Sequence, residues 1–386
     1  MLKNPFKKNA FGLDISDTSI EIVLLDGSIE NPQILAIGRT ALEAGIVEDG
    51  RIINKEKLIN ALDNLIKNPK FGKINTRKII FTLPESRIFL DIFELPKNPK
   101  KEKQIELIQS RMSKTFPYSP KELYYDFLIK DRNEVNEIFL VAAPKDIVND
   151  YLEIFNFLKL QPLVFDIESE SLSRSLIGKE KGTILIIDIG ARTISFSVFD
   201  GDELKLSISN ETAGNRFTQS IAEKLKIPIE KAEQIKRESG LNPEFEEGKI
   251  FLIIQKDIQM GIVLETRKIE KYFQEKEGKK IEKIIIAGGS SLLPCLREYL
   301  ADNLDKKVAI GNPWVKINTG DLKEKEIFET NPIFYATVVG SALRSLVRSP
   351  TRIGINLIKN TGRGQYLLKR KFSFIQNFLA KIKGRK

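Results

Sequence analysis

Two aspartates in this sequence each follow an apolar run and open a short polar turn. Asp188 comes after the run at 184–187, and Asp14 comes after a similar run near the N-terminus. Apolar runs of this kind predict buried strands, and the small residue Gly190 lets backbone N–H groups approach an anion. Carboxylates at strand ends can also orient hydrated Mg²⁺. The pattern therefore predicts a phosphate-binding hairpin with a carboxylate beside it.

The two segments form an internal repeat. When Asp14 is aligned with Asp188, Ser19 falls on Thr193, and an Asp-Gly pair ends the second strand in both segments without a gap. A repeated hairpin predicts two similar domains that face one cleft. The alternative is that both are ordinary hairpins with aspartate in the turn, but the shared Asp-Gly spacing favours the repeat.

A third turn, Gly-Gly-Ser-Ser at 288–291, follows another apolar run. Gly-Gly after a strand is common in loops, so this turn is weak evidence by itself. Three such turns in this order are more specific. Two hairpin tips can hold phosphates from opposite sides, and the Gly-Gly turn lets a nucleoside lie against the backbone at a helix N-terminus. Together they predict a nucleotide site.

Length and composition indicate a soluble globular protein with two or more domains. The chain has 386 residues, of which 41% are hydrophobic and 30% are charged. No apolar run reaches the ~20 residues of a membrane span, and the start lacks the apolar core of a secretory signal. With Cys295 as its one cysteine and no histidine, the sequence excludes an intramolecular disulfide, histidine-based catalysis and histidine metal sites.

The positive charge is confined to the C-terminal part. Residues 330–386 contain 12 Lys and Arg and no acid, whereas the preceding 329 residues have a net charge of −2. A nearly neutral body does not favour nucleic acid as a partner. Residues 367–386 place aromatic and aliphatic residues at helical spacing among basic ones, which predicts an amphipathic helix on a membrane surface. A solvated or docked helix is the alternative.

Strands and helices are predicted along the chain up to about residue 346. Residues 85–160 have the order strand, helix, strand, strand, helix, which is typical of a small α+β subdomain. One long helix is predicted over 249–273, because its apolar residues recur every three or four positions.

The order of these motifs resembles that of the actin, Hsp70 and sugar-kinase superfamily. Within it, the sequence is identified as a member of the PilM family of type IV pilus assembly proteins, which is related to FtsA. The resemblance covers about residues 8–347. The motifs that carry it are Phe116-Pro117 with Asp126, FLVAAPKD at 139–146, FDIESESLSRSL at 165–176, AGNRFTQSIAEKL at 213–225, AGGSSLLPCLREYL at 287–300, Asn312-Pro313 and ATVVGSALR at 336–344.

This resemblance implies an α/β fold of the actin-like (Hsp70/FtsA-type) two-domain ATPase class with an inserted small α+β subdomain. The implied parts are the first part of domain I at 1–84, the inserted subdomain at 85–160, the connecting helix of domain I at 161–180, domain II at 181–329, the closing helix of domain I at 330–349 and a basic tail at 350–386.

The resemblance also implies roles for single residues. Asp14 and Asp188 would orient Mg²⁺, and Glu168 falls where related ATPases place the group that orients water. The phosphates of ATP would be lined by Ser16, Thr18, Ser19, Gly190, Arg192 and Thr193. The nucleoside side would be formed by Gly214, Asn215, Glu233, Lys236, Gly288, Gly289 and Ser290. For Glu233 and Lys236, a surface ion pair between residues three apart on a helix is the alternative.

Two residues depart from the family pattern. Members usually have glycine where this chain has Ser16 and lysine where it has Glu21. An anion in place of a cation near the phosphates should weaken ATP binding or hydrolysis if Glu21 points inward.

The implied function is an ATP- and Mg²⁺-binding platform with at most slow ATPase activity, cytoplasmic and peripheral to the inner membrane. It would bind the N-terminal peptide of a PilN-like inner-membrane protein. Pilus motor ATPases, further copies of the chain and, through residues 367–386, a membrane surface are further candidate partners. The alternatives are an FtsA-like cell-division tether and, less favoured because no substrate-shaped insertion is evident, a small-molecule kinase.

One further stretch is similar to a known peptide. Residues 354–358, GINLI, resemble the INLLP peptide near the start of PilN, which PilM-family proteins bind. We expect this segment to occupy the partner groove of its own or a neighbouring molecule.

Overall fold

The computed structural model describes residues 9–97, 101–132, 134–180, 182–319 and 330–359. The chain forms two compact units. Unit 1 runs to Glu168 and resumes at Ser341, and unit 2 spans Ser169–Gly340. Within the described ranges, no helix combines the length and the apolar character needed to span a bilayer. The predicted basic helix at 367–386 lies outside the described residues.

Unit 1 is built on a six-stranded mixed sheet. The strands described in unit 1 are β1 (Phe11–Ile15), β2 (Ser19–Ser28), β3 (Asn31–Ala41), β4 (Val47–Glu48), β5 (Arg51–Ile52), β6 (Phe71–Gly72), β7 (Lys78–Leu83), β8 (Phe89–Pro96), β9 (Leu123–Arg132), β10 (Val135–Pro144) and β11 (Gln161–Ile167). The main sheet has the order β11-β7-β1-β2-β3-β6, and β1 forms the predicted antiparallel hairpin with β2. β1 and β7 are parallel, as are β7 and β11.

The central strands of this sheet read as continuous apolar runs because both faces are covered. Helices α1 (Lys55–Lys67) and α3 (Lys145–Phe157) contribute their buried faces to the same core. The Asn54 side chain caps α1 by accepting a hydrogen bond from the Lys57 amide at 3.0 Å. On α3, the ring of Tyr151 packs 4.7 Å from that of Phe81 on β7. This contact packs α3 against β7, the parallel neighbour of β1, which carries Asp14.

A smaller sheet of order β8-β10-β9 forms a second layer of unit 1, together with helix α2 (Lys101–Thr115). Its core includes Leu95, Ile108, Met112, Ile138 and Leu140. The order of elements predicted for 85–160 is observed, but its last helix, α3, packs in the core of the main sheet and not on this smaller one.

Unit 2 is built on a five-stranded sheet of order β14-β13-β12-β15-β16. The elements described from here to the C-terminus are α4 (Glu168–Leu176), β12 (Thr183–Ile189), β13 (Ile194–Asp200), β14 (Glu203–Asn210), α5 (Gly214–Leu225), α6 (Ile229–Ser239), α7 (Lys249–Ile258), α8 (Leu264–Glu277), β15 (Lys283–Ala287), α9 (Leu296–Leu304), β16 (Lys307–Ile310) and α10 (Ala336–Leu346). β12 and β13 form the second predicted hairpin, and β12, β15 and β16 are parallel.

The helix predicted over 249–273 is interrupted in the structure. A π-helical turn, Gln259–Val263, separates α7 from α8. Asn210 Nδ2 donates to the carbonyl of Gly261 at 2.9 Å, and a Cβ at Gly261 would lie 2.8 Å from the Thr212 side chain. The extra residue of the π turn therefore lets the helix pass close to the end of β14.

Candidate functional site

The hairpin tip of unit 1 is closed by its own serine. The Ser16 amide donates to the Ser19 carbonyl at 2.9 Å. Ser16 Oγ in turn accepts from the amides of Thr18 at 3.3 Å and Ser19 at 3.1 Å. Thr18 and Ser19 are two of the three predicted phosphate-lining residues of this tip. The hydroxyl at position 16 therefore occupies N–H groups that a glycine would leave for an anion.

The same tip is fixed by an aspartate that the sequence reasoning did not assign. Asp17 accepts from the Asp49 amide at 2.8 Å and the Gly50 amide at 3.1 Å, in the turn between β4 and β5. Arg87 donates to both the carbonyl and the carboxylate of Asp49. The signal for this contact in the sequence is the Asp-Gly pair at 49–50, which marks a turn.

Glu21 lies opposite Asp14 in the register of β1 and β2 and is only 3% exposed. Burial raises its pKa to about 7, although Ser19 and Arg39 act in the opposite direction. Its carboxylate accepts from Arg39 Nε at 2.8 Å. The carboxylate at position 21, where family members usually have lysine, thus points inward, but Arg39 supplies a compensating positive charge.

The acidic residues predicted for unit 1 lie near one buried tyrosine. Glu168 begins α4, and its Oε2 accepts from the amide of Glu85 at 2.8 Å, which fixes the carboxylate. The pKa of the Tyr151 hydroxyl is raised, first by burial and then by the negative charges of Asp17, Asp14 and Glu168. Asp14 and Glu168 therefore belong to one acidic neighbourhood in unit 1.

The hairpin tip of unit 2 closes in the same way as that of unit 1. The Gly190 amide donates to the Thr193 carbonyl at 3.0 Å, which matches the Ser16–Ser19 contact position for position. Arg192 is exposed at this tip. Glycine at 190 carries no hydroxyl, so nothing equivalent to Ser16 Oγ caps this tip from within.

Asp188 is the last residue but one of β12 and lies beside the Gly-Gly turn. Part of the residue is exposed, yet burial of its carboxyl raises its pKa to about 6. Gly288 has a left-handed φ of +77°, and a Cβ there would lie 2.4 Å from Asp188 Oδ1. The turn therefore needs glycine for its backbone conformation and for the close approach of this carboxylate.

Helix α5 begins against the tip of the second hairpin. The amide of Gly214 donates to the carbonyl of Gly190 at 3.1 Å, and that of Asn215 to Ala191 at 2.7 Å. Ser290 Oγ donates to the same Gly190 carbonyl at 3.2 Å. The first amides of α5 thus position the tip and are not directed at a ligand. These contacts bring together four of the predicted site residues.

Lys236 on α6 is 4% exposed and points to the start of α5. Its Nζ donates to the Gly214 carbonyl at 3.0 Å and to Thr218 Oγ1 at 2.8 Å, and it lies 2.6 Å from Glu233. Burial lowers the pKa of Lys236, although Glu233 opposes this. Burial alone would raise the pKa of Glu233, but Lys236, Thr218 and Arg237 together lower it. Lys236 is therefore a buried anchor at the start of α5, while its ion-pair partner Glu233 is half-buried and also contacts Arg237.

The residues of unit 2 fit a flat ligand that lies on the Gly-Gly turn. A Cβ at Gly289 would meet only the ring of Phe334 at 3.4 Å, and one at Gly190 would meet only the Thr193 carbonyl at 3.0 Å. The backbone at both glycines is thus open on one side. Asp188 places a carboxylate beside this open turn, and Lys236 fixes the helix start that holds the 190–193 tip.

Comparison with known proteins is consistent with this arrangement. A sequence profile of the family described as type IV pilus assembly protein PilM matches residues 12–346. Among solved structures, the PilM-PilN type IV pilus biogenesis complex superposes with a TM-score of 0.75 at 22% identity, covering 88% of this chain and 99% of that one. These two matches confirm the family resemblance that the sequence motifs indicate.

More distant structures share the fold. The ethanolamine utilization protein EutJ of Carboxydothermus hydrogenoformans gives a TM-score of 0.52 at 14% identity, covering 88% of this chain and 91% of that one. MreB 5 of Spiroplasma citri bound to AMPPNP gives 0.50 at 12% identity, covering 87% and 95%. The predicted α/β actin-like fold is therefore confirmed.

A relative by sequence is the cell division protein FtsA of Buchnera aphidicola, 29% identical over 185 residues. The match spans 41% of this chain and only 42% of the length of that relative. It supports a relation to FtsA over part of the chain.

Proposed function

Because this chain belongs to the type IV pilus assembly protein PilM family, we propose that it is a nucleotide-binding platform of the pilus assembly machinery. In this proposal it binds Mg-ATP and the N-terminal peptide of a PilN-like inner-membrane protein. The pilus assignment is supported by the family description and by the structural relative named as a PilM-PilN complex. The platform would be cytoplasmic and peripheral to the inner membrane. Pilus motor ATPases and further copies of the chain remain candidate partners.

One observation carries the nucleotide part of the proposal: the buried ammonium of Lys236 joins Gly214 and Glu233 beside the open Gly-Gly turn. Burying a lysine to 4% exposure costs free energy, which the carboxylate of Glu233 and the hydrogen bonds to Gly214 and Thr218 offset. Here it fixes the start of α5, which in turn holds the 190–193 tip. In the proposal, Gly288, Gly289 and Ser290 carry the nucleoside, and Arg192 and Thr193 contact the phosphates.

Asp14 and Asp188 are the residues that we propose to orient Mg²⁺. When bound, Mg²⁺ would neutralise phosphate charge. Glu168, held by the Glu85 amide, remains the residue proposed to orient water. Because Ser16 Oγ binds the amides of Thr18 and Ser19, the first tip offers fewer donors to phosphate. We therefore assign this chain nucleotide binding with at most slow hydrolysis.

The test is a thermal-shift titration with Mg-ATP on the wild-type chain and on Lys236→Met. A ligand that binds only the folded state raises the melting temperature by mass action, so the wild type should be stabilised. Lys236→Met should lose at least tenfold in affinity. Lys231→Met, which alters an exposed lysine on the same helix, is the matched control and should bind as the wild type does.

The partner part is tested in the same titration with a PilN-like N-terminal peptide. Stabilisation by both ligands supports the platform. Stabilisation by Mg-ATP alone favours the FtsA-like tether, for which the partial FtsA match is the supporting observation. If Mg-ATP stabilises neither the wild type nor Lys231→Met, the nucleotide part of the proposal is wrong.

A further inference from the structure

Two sheet edges of unit 1 border one slot. β11 is the last strand of the six-stranded sheet, and β9 is the last strand of the three-stranded sheet. An edge strand presents backbone N–H and C=O groups on its outer side, and a segment that pairs with them gains the hydrogen bonds of an added strand. The slot is filled by residues 354–358, which we call the GINLI segment.

The GINLI segment contacts β11 through one backbone hydrogen bond and the Asn356 side chain, and it contacts β9 through the side chain of Asp126. On β11, Phe165 donates its amide to Asn356 Oδ1 at 3.2 Å, and its carbonyl accepts from the Leu357 amide at 3.1 Å. On β9, Asp126 Oδ2 accepts from the Asn356 amide at 3.0 Å. Lys359 Nζ lies 3.4 Å from the other oxygen of Asp126. The segment therefore bridges two sheets that do not pair with each other.

The slot is selective for the side chains that it holds. Asn356 is 2% exposed, and its carboxamide both accepts from Phe165 and donates to the Leu163 carbonyl at 3.2 Å. Only a side chain with a donor and an acceptor at this length satisfies both groups. Ile355 and Leu357, on either side, are buried in the main core of unit 1. The slot thus holds the sequence Ile-Asn-Leu in one orientation.

The chain before the segment is anchored independently of it. Arg344 on α10 donates to the carbonyls of Pro350 and Ile353. Its Nη1 also lies 2.7 Å from Asp166 and forms an ion pair with it, without the geometry of a hydrogen bond. Gly354 follows directly with a left-handed φ of +62°, which only glycine adopts without strain. The anchor therefore ends where the segment begins, and rotation at Gly354 can release the segment without disturbing Arg344.

We propose that the slot between β9 and β11 is a peptide-binding site that the chain's own GINLI segment fills, and that a partner peptide with the same Ile-Asn-Leu chemistry binds by displacing it. This inference adds to the proposed function a way in which partner binding is regulated. The identity of the partner rests on the proposed function. A segment tethered by a short linker has an effective concentration on the order of mM. A free peptide of the same sequence should therefore bind the wild type only at concentrations of about that size.

The test uses the full chain and a fluorescent synthetic peptide of residues 352–359, RIGINLIK. We expect the wild type to bind it with a midpoint on the order of mM, and Asn356→Ala, whose own segment is weakened, to bind at least tenfold more tightly. Asn303→Ala is the matched control, because Asn303 also donates to a backbone carbonyl but lies in unit 2. A peptide that carries the Asn356→Ala change should bind to none of the three chains.

Hydrogen exchange gives a second readout that needs no variant. The amides of Asn356 and Leu357 are hydrogen-bonded in the slot, so they should exchange slowly in the wild type. Saturating peptide should accelerate exchange at both. Binding without acceleration, or no binding to Asn356→Ala while its other amides stay protected, would show that the GINLI segment is a permanent part of the core.

The same assay separates this inference from the proposed function. If RIGINLIK binds to Asn356→Ala but a PilN-like peptide does not compete with it, the slot is correct and the partner assignment is wrong. The Mg-ATP thermal shift is measured independently, and its failure leaves the peptide result unaffected.

Discussion

Glu21 on β2 and Arg39 on β3 are register partners, and Arg39 Nε donates to Glu21 Oε1 at 2.8 Å. The carboxylate of Glu21 is thus shared between Arg39 on the neighbouring strand and Ser19 at the hairpin tip. This relationship explains how the chain accommodates a buried carboxylate next to a predicted phosphate site. It also gives the fold a dependence on pH.

Stability should fall with rising pH because of Glu21. Burial raises its pKa from 4.5 to about 7. A raised folded-state pKa stabilises the fold below pH 4.5, and that contribution is lost as the pH rises through 7. The displacement corresponds to roughly 3 kcal/mol. In urea denaturation between pH 5 and pH 8, we expect the wild type to lose stability relative to Glu21→Gln. Glu48→Gln, at an exposed carboxylate, should follow the wild type; parallel curves for all three chains would contradict the prediction.

Removal of the Ser16 hydroxyl should strengthen nucleotide binding. Ser16 Oγ now accepts from the amides of Thr18 and Ser19, and a net hydrogen bond contributes about 0.5–1.5 kcal/mol. Ser16→Gly should therefore bind Mg-ATP about 3- to 10-fold more tightly in calorimetric titration. Ser16→Ala separates the loss of the hydroxyl from the gain in backbone freedom, since it removes the hydroxyl but keeps a Cβ. Improvement in glycine alone would assign the effect to backbone freedom, and improvement in neither would refute the prediction.

A methyl group at Gly288 should disrupt Asp188. The added Cβ would lie 2.4 Å from Asp188 Oδ1 and 2.5 Å from the Ile189 carbonyl. Gly288→Ala should lose more than about 3 kcal/mol of unfolding free energy, because a backbone clash adds to the left-handed conformation, and the Mg-ATP thermal shift should disappear. Gly278→Ala is the control, with a similar φ of +68° and no atom within 4 Å. It should lose only about 1–2 kcal/mol; equal losses for both variants would show that the clash has no effect.

Arg344→Met should destabilise unit 1 strongly. Asp166 is fully buried beside Arg344, and loss of the arginine leaves an uncompensated buried charge. Such changes cost about 3–5 kcal/mol. Arg348→Met, at an exposed arginine just beyond α10, should change stability by less than about 0.5 kcal/mol. Denaturant unfolding of the two variants tests this prediction. Similar unfolding midpoints would mean that the buried pair contributes little to stability.

The strongly patterned elements could be predicted from the sequence. The hairpins β1–β2 and β12–β13 and the order of elements in 85–160 follow from the sequence, because apolar runs and helical spacing are local signals. β14 was not predicted, since its residues ELKLSISN alternate only weakly and it owes its conformation to pairing with β13. The π turn was also missed; it lies where the helix approaches Asn210 and Thr212, which are distant in the sequence.

The candidate site was predictable in its residues but not in its contacts. The alignment of Asp14 with Asp188 correctly anticipates that both tips close by the same backbone hydrogen bond. No sequence pattern indicates that a side chain will form a hydrogen bond with the backbone of its own turn. Ser16 Oγ caps its own tip, and the amides of Gly214 and Asn215 bind the second tip rather than a ligand. These contacts depend on rotamers and on loops that meet only after folding.

The GINLI segment also determines how far the basic tail can extend. While the segment is seated, the chain beyond Lys359 starts from the edge of β9, next to Asp126. Release at Gly354 adds residues 354–359 to the tether, and an extended chain gains about 3.3–3.6 Å per residue, or roughly 20 Å in all. Binding of a partner peptide in the slot would thus lengthen the tether that carries the nine positive charges from Lys359 to Lys386, and so extend the distance over which they could contact an acidic surface.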